Sequence, residues 1–296
     1  MRITVLLILS SLLLADPLPE MIWMVGSKPD HLYVGIGTMV FLRYAKTFEI
    51  PVLPADPILG MTECDPVLLK AMMRNESNFR IHATSPTGAL GVSQFVRSTA
   101  KWLRLKNPYN PISSTFAMCR YVSYLSEKFK STEEILWAYH DGEGAVKKRG
   151  PSEAAKGYAR TILSFYRDYK SSGKWEWFKD KVVLGIEAEY IPPISYDLEV
   201  FGAFSVLGNL DLKGGYEISS RGSGTVIGAY LRIFHDLALA FRWDYSGLSF
   251  GTSLWDIDRG LEVLVSPRRG MARLMYEDFG VEMDEGRVAV FYRIGL

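Results

Sequence analysis

Only two cysteines occur in the 296 residues, Cys64 and Cys119. That is too few for a disulfide-rich scaffold or a four-cysteine zinc site. Net charge is nearly absent as well: 34 Lys+Arg stand against 33 Asp+Glu, which gives no overall pull towards nucleic acid. No internal repeat of solenoid length is present. The longest apolar run, Ile3–Leu14, has 12 residues, short of the ~20 that a bilayer-spanning helix needs. What the chain does have is 48% hydrophobic and 13% aromatic residues, which exclude wholesale disorder. Its length suits one large or two ordinary domains with sizeable cores.

Arg2, the apolar run, then Ala15 and Asp16 describe a secretory signal over residues 1–15. Leu13 stands where a small residue is preferred for cleavage after Ala15, and no cysteine follows to make a lipoprotein signal. Export makes a Cys64–Cys119 disulfide chemically feasible; two separate buried thiols fit the sequence equally well. Charge is uneven along the chain. Residues 62–172 carry 17 Lys+Arg and 10 Asp+Glu, the remainder 17 and 23. A basic middle suits an anionic polymer, or is simply a solvated surface.

The remaining chain reads as three segments. Residues 16–61 are rich in Pro, Gly and aromatics, with Leu32, Val34, Ile36, Val40 and Leu42 alternating as one strand. Residues 62–172 are helical in period. Asp65-Pro66 opens a helix bearing Val67, Leu68, Ala71 and Met72; Ser114–Phe129, Glu133–Tyr139 and Ala154–Tyr169 supply others. After Ser171-Ser172-Gly173 the period changes to two, so 173–296 forms a β-rich domain. The fold class is α+β multidomain: a helical domain followed by an antiparallel all-β domain.

Three short segments of the helical region carry chemistry. They are Arg74–Phe79 at the end of the first helix, Gly88–Phe95, and Ala138–Val146, where a helix breaks into a Gly-rich turn. In this order they resemble the lysozyme-like domain of soluble lytic transglycosylases, over about residues 62–172. Glu76, Ser77 and Phe79 match the family's Glu-Ser pair with an aromatic beyond. Gly91 and Gln94 match its Gly-Leu-Met-Gln, with Ser98-Thr99-Ala100 following. Ala138, Tyr139 and Gly142 match its Ala-Tyr-Asn-Ala-Gly, with Gly144-Ala145-Val146 behind. Asn110-Pro111, Tyr121, Leu125 and the late tyrosine Tyr158 also fit.

The resemblance implies a single catalytic carboxyl, Glu76, which protonates the glycosidic oxygen and then takes the proton of the muramic acid 6-hydroxyl. Attack within the substrate leaves a 1,6-anhydromuramoyl end and needs no positioned water. A proton donor near neutral pH requires a raised pKa, which an apolar pocket provides; Met73, Phe79 and Tyr139 are candidate walls. Ser77, Gln94, Tyr139 and Tyr158 are the expected substrate-binding residues. No metal or organic cofactor is implied, and the expected partner is peptidoglycan rather than nucleic acid.

Three departures modify this reading. Ser93 replaces the family Met, making that wall smaller and more polar. His140-Asp141 replaces Asn-Ala, and Glu143 adds a carboxyl. Either Asp141 serves a lysozyme-like hydrolysis, or these groups point into solvent from a turn, with His140 a structural polar residue. A non-catalytic peptidoglycan-binding or envelope-scaffolding protein is the alternative from a different class.

In the β-rich region Leu237, Leu239, Phe241, Trp243 and Tyr245 oppose Asp236, Ala238, Ala240, Arg242 and Asp244, and Val288–Leu296 alternates to the last residue. Gly208-Asn209, Ser246-Gly247, Pro267–Gly270 and Asp284–Gly286 supply turns, predicting eight or nine strands. A soluble β-sandwich would bury the apolar face; a membrane β-barrel would turn it to lipid, with Trp175, Trp177, Tyr190 and Trp243 as interfacial aromatics. The barrel places the protein in the periplasm or envelope, associated with the outer membrane. The strand at 32–42 could join it, making the helical domain an insertion.

Overall fold

The structure, a computed structural model, describes residues 32–37, 40–85, 87–191, 195–206, 208–220, 222–234, 237–245, 247–256, 261–266, 271–276, 279–284 and 287–295. The expected signal at 1–15, the segment to residue 31, the turn at 267–270 and Leu296 lie outside them. The chain divides into two units: Pro51–Lys179, and the residues on either side of it.

The central unit is helical: α1 (Ala55–Gly60), α2 (Pro66–Ser77), α3 (Arg97–Trp102), α4 (Pro111–Ser126), α5 (Thr132–Asp141), α6 (Glu143–Arg149) and α7 (Glu153–Ser172). Local caps set the starts. Asp65 accepts from the backbone N–H of Val67 and Leu68, and Pro66 occupies the first position, where a missing N–H costs nothing. Asn110 accepts from Ser113 N at 2.7 Å ahead of Pro111, so α4 begins before the expected Ser114. Ser131 and Glu134 form a capping box on α5. Helix α7 packs on α2 and α5, burying Leu69, Met72, Met73, Leu136, Ala159 and Ile162. A Cys64–Cys119 disulfide joins the segment before α2 to α4.

The unit extends beyond 62–172 at both ends because its two ends hold each other. Ala55 N donates to Glu176 O at 2.9 Å. Buried Lys70 pairs with Asp56 and donates to Lys174 O at 2.8 Å, while Asp56 also accepts from Glu176 N at 2.8 Å. A lysine this deeply buried is tolerated only when so paired.

The flanking unit is an antiparallel sheet. Its strands are β1 (Leu32–Gly37), β2 (Val40–Pro54), β3 (Trp177–Ile191), β4 (Ser195–Val206), β5 (Leu210–Ser219), β6 (Gly222–Phe234), β7 (Leu237–Asp244), β8 (Gly247–Asp256), β9 (Leu261–Ser266), β10 (Met271–Tyr276), β11 (Phe279–Asp284) and β12 (Arg287–Gly295). The single strand expected over 32–42 is instead two strands paired with each other, Val34 opposite Leu42. Strands β9, β10 and β11 have only 6 residues each, which is why the expected eight or nine strands fall short. Neighbour order runs β1-β12-β11-β10-β9-β8-β7-β6-β5-β4-β3-β2, and β1 pairs with both β12 and β2.

The two faces are inverted relative to a soluble sheet. Leu184, Ile186, Leu198, Val200, Phe204, Val206, Tyr216, Ile218, Phe241 and Trp243 are exposed, whereas Glu199, Asp211, Lys213, Glu217 and Asp244 are buried. Lys213 pairs with Glu199 at 2.7 Å and lies over the Phe201 ring at 4.3 Å. The sandwich expectation, which buries the apolar row, does not match these strands. Among the described residues no helix is long and apolar enough to cross a membrane.

Candidate active site

Glu76 stands in the last turn of α2. Behind it, Asn78 and Phe79 both take left-handed backbone conformations, φ 51° and 64°. Asn tolerates this; a bulky Phe does so only when its surroundings hold it. Phe79 is fully buried, edge-on to Phe178 at 6.3 Å, and its carbonyl accepts from Lys179 N at 2.8 Å. Phe79 is therefore an anchor that fixes the end of α2; Met73 is likewise fully buried.

The second motif is built on Gly91. At φ +71°, a Cβ there would lie 1.9 Å from the Pro108 carbonyl oxygen, so only glycine fits. Gln94, itself at φ 48°, donates through Nε2 to Gly91 O at 2.8 Å and Ala83 O at 3.2 Å. Ser77 is buried and donates to Val92 O at 3.0 Å. This ties the Glu76 helix to the loop and takes Ser77 away from the sugar-binding role expected of it. Ser93 is fully buried and donates to Ser114 O at 3.1 Å. It holds the loop to α4 and is not the polar cleft wall that was expected.

From the third motif, Tyr139 donates to Ser93 O at 2.9 Å. Tyr158, on α7, donates to Glu76 Oε1. Burial raises both tyrosines well above their ordinary pKa, with the nearby Glu76 charge adding to it, so both remain hydroxyl donors. Burial also raises Glu76 from 4.5 to about 7, although the Tyr158 hydrogen bond works against the shift. The outcome is a carboxyl that holds its proton near neutrality and keeps a donor ready for the carboxylate.

Asp141 neither faces solvent nor stands ready as a base. Its oxygens accept from Ser152 N at 2.8 Å, Ser152 Oγ at 2.9 Å and His140 Nδ1 at 2.8 Å. Burial pushes its pKa up, but these bonds outweigh it and hold the carboxyl below its usual range. Ser152 caps α7, so Asp141 sets the start of the helix that presents Tyr158. His140 rests against the Tyr158 ring at 5.0 Å. Glu143 is fixed differently. Hydrogen bonds from Lys147 and Tyr124 hold it down at about 2, against a smaller effect of burial. Two carboxyls of one unit thus sit in opposite protonation states near pH 5.

Sequence reasoning missed Trp102 and Tyr124, which meet Tyr121 across α3 and α4. The signal available was an i, i+3 tyrosine pair on α4 beside a tryptophan ending α3. Among the described residues no three His, Cys, Asp or Glu side chains gather as metal ligands.

Residues 58–162 match a family model, the Transglycosylase SLT domain. The chain is similar to Membrane-bound lytic murein transglycosylase F of Haemophilus influenzae (strain PittEE), 34% identical over 89 residues, covering 28% of this chain and 18% of that protein. It is also similar to the protein of the same description from Hahella chejuensis (strain KCTC 2396), 32% identical over 102 residues, covering 32% and 20%. To the Transglycosylase of Enterobacteria phage PRD1 it is 29% identical over 97 residues, covering 31% and 37%. The chain thus spans well under half the length of these relatives. A solved structure, the 70 kDa soluble lytic transglycosylase from Escherichia coli, aligns with a TM-score of 0.33 at 19% identity, covering 39% of this chain and 24% of that one.

Proposed function

We propose that the helical unit is a peptidoglycan lytic transglycosylase that uses Glu76 as its one acid and base. The observation that carries this is a carboxyl kept protonated by burial to about pH 7 and bonded by Tyr158, within a segment that matches a transglycosylase family. Protonated Glu76 gives its proton to the oxygen between MurNAc and GlcNAc as that bond breaks and the ring becomes oxocarbenium-like. The carboxylate left behind is stabilised by the Tyr158 hydroxyl. It then removes the proton of the muramic 6-hydroxyl as that oxygen closes on C1, which restores the acid. No second carboxylate is needed, in keeping with the way Asp141 is tied to Ser152 and His140.

Mass analysis of soluble fragments from purified peptidoglycan tests this. Fragments with 1,6-anhydro ends are expected. Reducing ends would make the protein a hydrolase, and a folded protein that releases nothing would make it a binding or scaffolding module.

We further propose that the sheet closes as a β-barrel and anchors the exported protein in the outer membrane. Support comes from the exposed apolar row over a buried charged row, from β1 having partners on both sides, and from β3–β6, with 10 to 15 residues each, against the ~9–11 that a tilted membrane strand needs. In a density gradient the full chain is expected to float with phospholipid vesicles and to stay with them in carbonate; protein left at the bottom would exclude the anchor.

A further inference from the structure

Asp141 stands where the resemblance puts an alanine, and its carboxyl makes three hydrogen bonds that an alanine cannot. Helix α5 stops at Gly142, whose backbone takes φ 85°, and the chain runs out through α6 before it returns at Ser152. Asp141 closes that excursion. It accepts from Ser152 N at 2.8 Å and from Ser152 Oγ at 2.9 Å, across 11 residues of sequence. The same Ser152 Oγ accepts from Ala155 N at 3.1 Å, so the carboxylate also orients the hydroxyl that caps α7. A negative charge at this end of a helix is favoured by the helix dipole. Tyr158, which bonds Glu76, follows Ser152 by less than two turns. His140 bonds Asp141 through Nδ1 at 2.8 Å and lays its ring against the Tyr158 ring at 5.0 Å. The tyrosine is thus placed twice by one dipeptide, through the start of its helix and through its ring.

We infer that Asp141 and His140 are positioning residues that hold the Tyr158 hydroxyl on Glu76, a task that an alanine at position 141 could not take on. Both act through Tyr158. A hydroxyl serves the acid only at hydrogen-bonding distance and angle, and the bond weakens steeply when either is lost. The groups that titrate around Glu76 are Tyr158 of α7 and, on α5, Tyr139 and the His140–Asp141 pair. Burial keeps both tyrosines protonated, well above their ordinary range, so Tyr158 remains a donor throughout. Its hydrogen bond draws Glu76 down against the stronger effect of burial. A tyrosine that drifts therefore leaves the carboxyl higher, and leaves the carboxylate formed in the reaction without its donor.

This inference rests on the transglycosylase reading for its consequence, and the test tells their failures apart. Peptidoglycan cleavage by the full chain is followed as a function of pH in wild type, Tyr158→Phe, Asp141→Ala, His140→Ala and Tyr158→Phe/Asp141→Ala, with thermal melts confirming that each is folded. Tyr158→Phe is expected to move the fall of kcat/KM upward by about one pH unit, as loss of a hydrogen bond to a charged group implies. Asp141→Ala and His140→Ala are each expected to move it the same way by about half as much, with kcat about fivefold lower and KM little changed. The double variant is expected to go no further than Tyr158→Phe alone, because one residue acts through the other. Asp141→Asn, which still offers Ser152 N an oxygen, is expected to move it less than Asp141→Ala and keeps the test standing if the alanine variant does not fold. A fall that stays at the wild-type pH in every folded Asp141 variant overturns the inference. So does a double-variant shift equal to the sum of the single ones, or a loss carried by KM alone. Should wild type cleave nothing, the enzyme reading fails instead, and carboxyl-carbon NMR of glutamate-labelled protein follows Glu76 itself, identified by its absence in Glu76→Gln. An upward move of its titration in Asp141→Ala upholds the positioning role; an unmoved one overturns it.

Discussion

Glu76→Gln is expected to slow release of soluble peptidoglycan fragments by about 10²–10⁴-fold, the usual worth of a positioned general acid. The amide keeps the size of the carboxyl and can still accept from Tyr158, so the loss is chemical. A variant that retains a tenth of wild-type activity would remove Glu76 from its role. In wild type the acid must carry its proton when the substrate arrives, so kcat/KM is expected to fall as pH rises through about 7. The same residue gives a stability signature that also falls as pH rises. Its folded pKa lies above the unfolded value, so below about pH 4.5 both states are protonated and nothing is lost. Between 4.5 and about 7 the unfolded chain ionises first, and stability falls as pH rises. Above about 7 the full cost is present, on the order of 3 kcal/mol from a shift of this size. Denaturant unfolding should therefore find Glu76→Gln more stable than wild type at pH 8 and equal to it at pH 4. Equal stabilities at pH 8 would mean that the carboxyl is not desolvated.

Removing the Cys64–Cys119 disulfide is expected to cost the helical unit about 4 kcal/mol, as loop-closure entropy predicts for a crosslink of sequence separation 55. That corresponds to a midpoint lower by roughly 15 °C. The closed segment contains Glu76, the strained Phe79 and the Gly91 loop, so the crosslink restricts the unfolded freedom of the part that assembles the site. Helical circular dichroism on heating, with and without reductant, measures the effect. A Cys64→Ala/Cys119→Ala variant separates loss of the bond from other actions of the reductant. A cost below about 1 kcal/mol would mean that α2 and α4 hold this segment by packing alone.

The division into a helical region and an antiparallel sheet was legible because the apolar period changes from 3.6 to 2 near Gly173. The start of α2 was legible because its cap, Asp65-Pro66, is entirely local. Asn110-Pro111 is an equally local cap, but the apolar run of α4 begins only at Phe116, so the period alone starts the helix near Ser114. Side-chain direction was less accessible. Ser77, Ser93 and Asp141 look like cleft residues by position in their motifs. Their hydrogen bonds run instead to Val92, Ser114 and Ser152, partners fixed by tertiary packing. The hairpin of β1 and β2 was missed because the alternation of apolar residues continues in phase across the place where the chain reverses. The Lys70–Asp56 pair joins residues from two different sequence segments, and no local pattern announces it.

The helical unit lies between β2 and β3, which are hydrogen-bonded neighbours in the sheet. It therefore has two covalent connections to the strands where a domain appended to a terminus has one. A protease that clips one connection leaves the other intact, and the cut end is still held by Asp56, Lys70, Lys174 and Glu176. Release of the unit from its strands needs two cuts in the same molecule, so its loss scales as the product of two clipping probabilities. A single nick therefore cannot separate the helical unit from its strands.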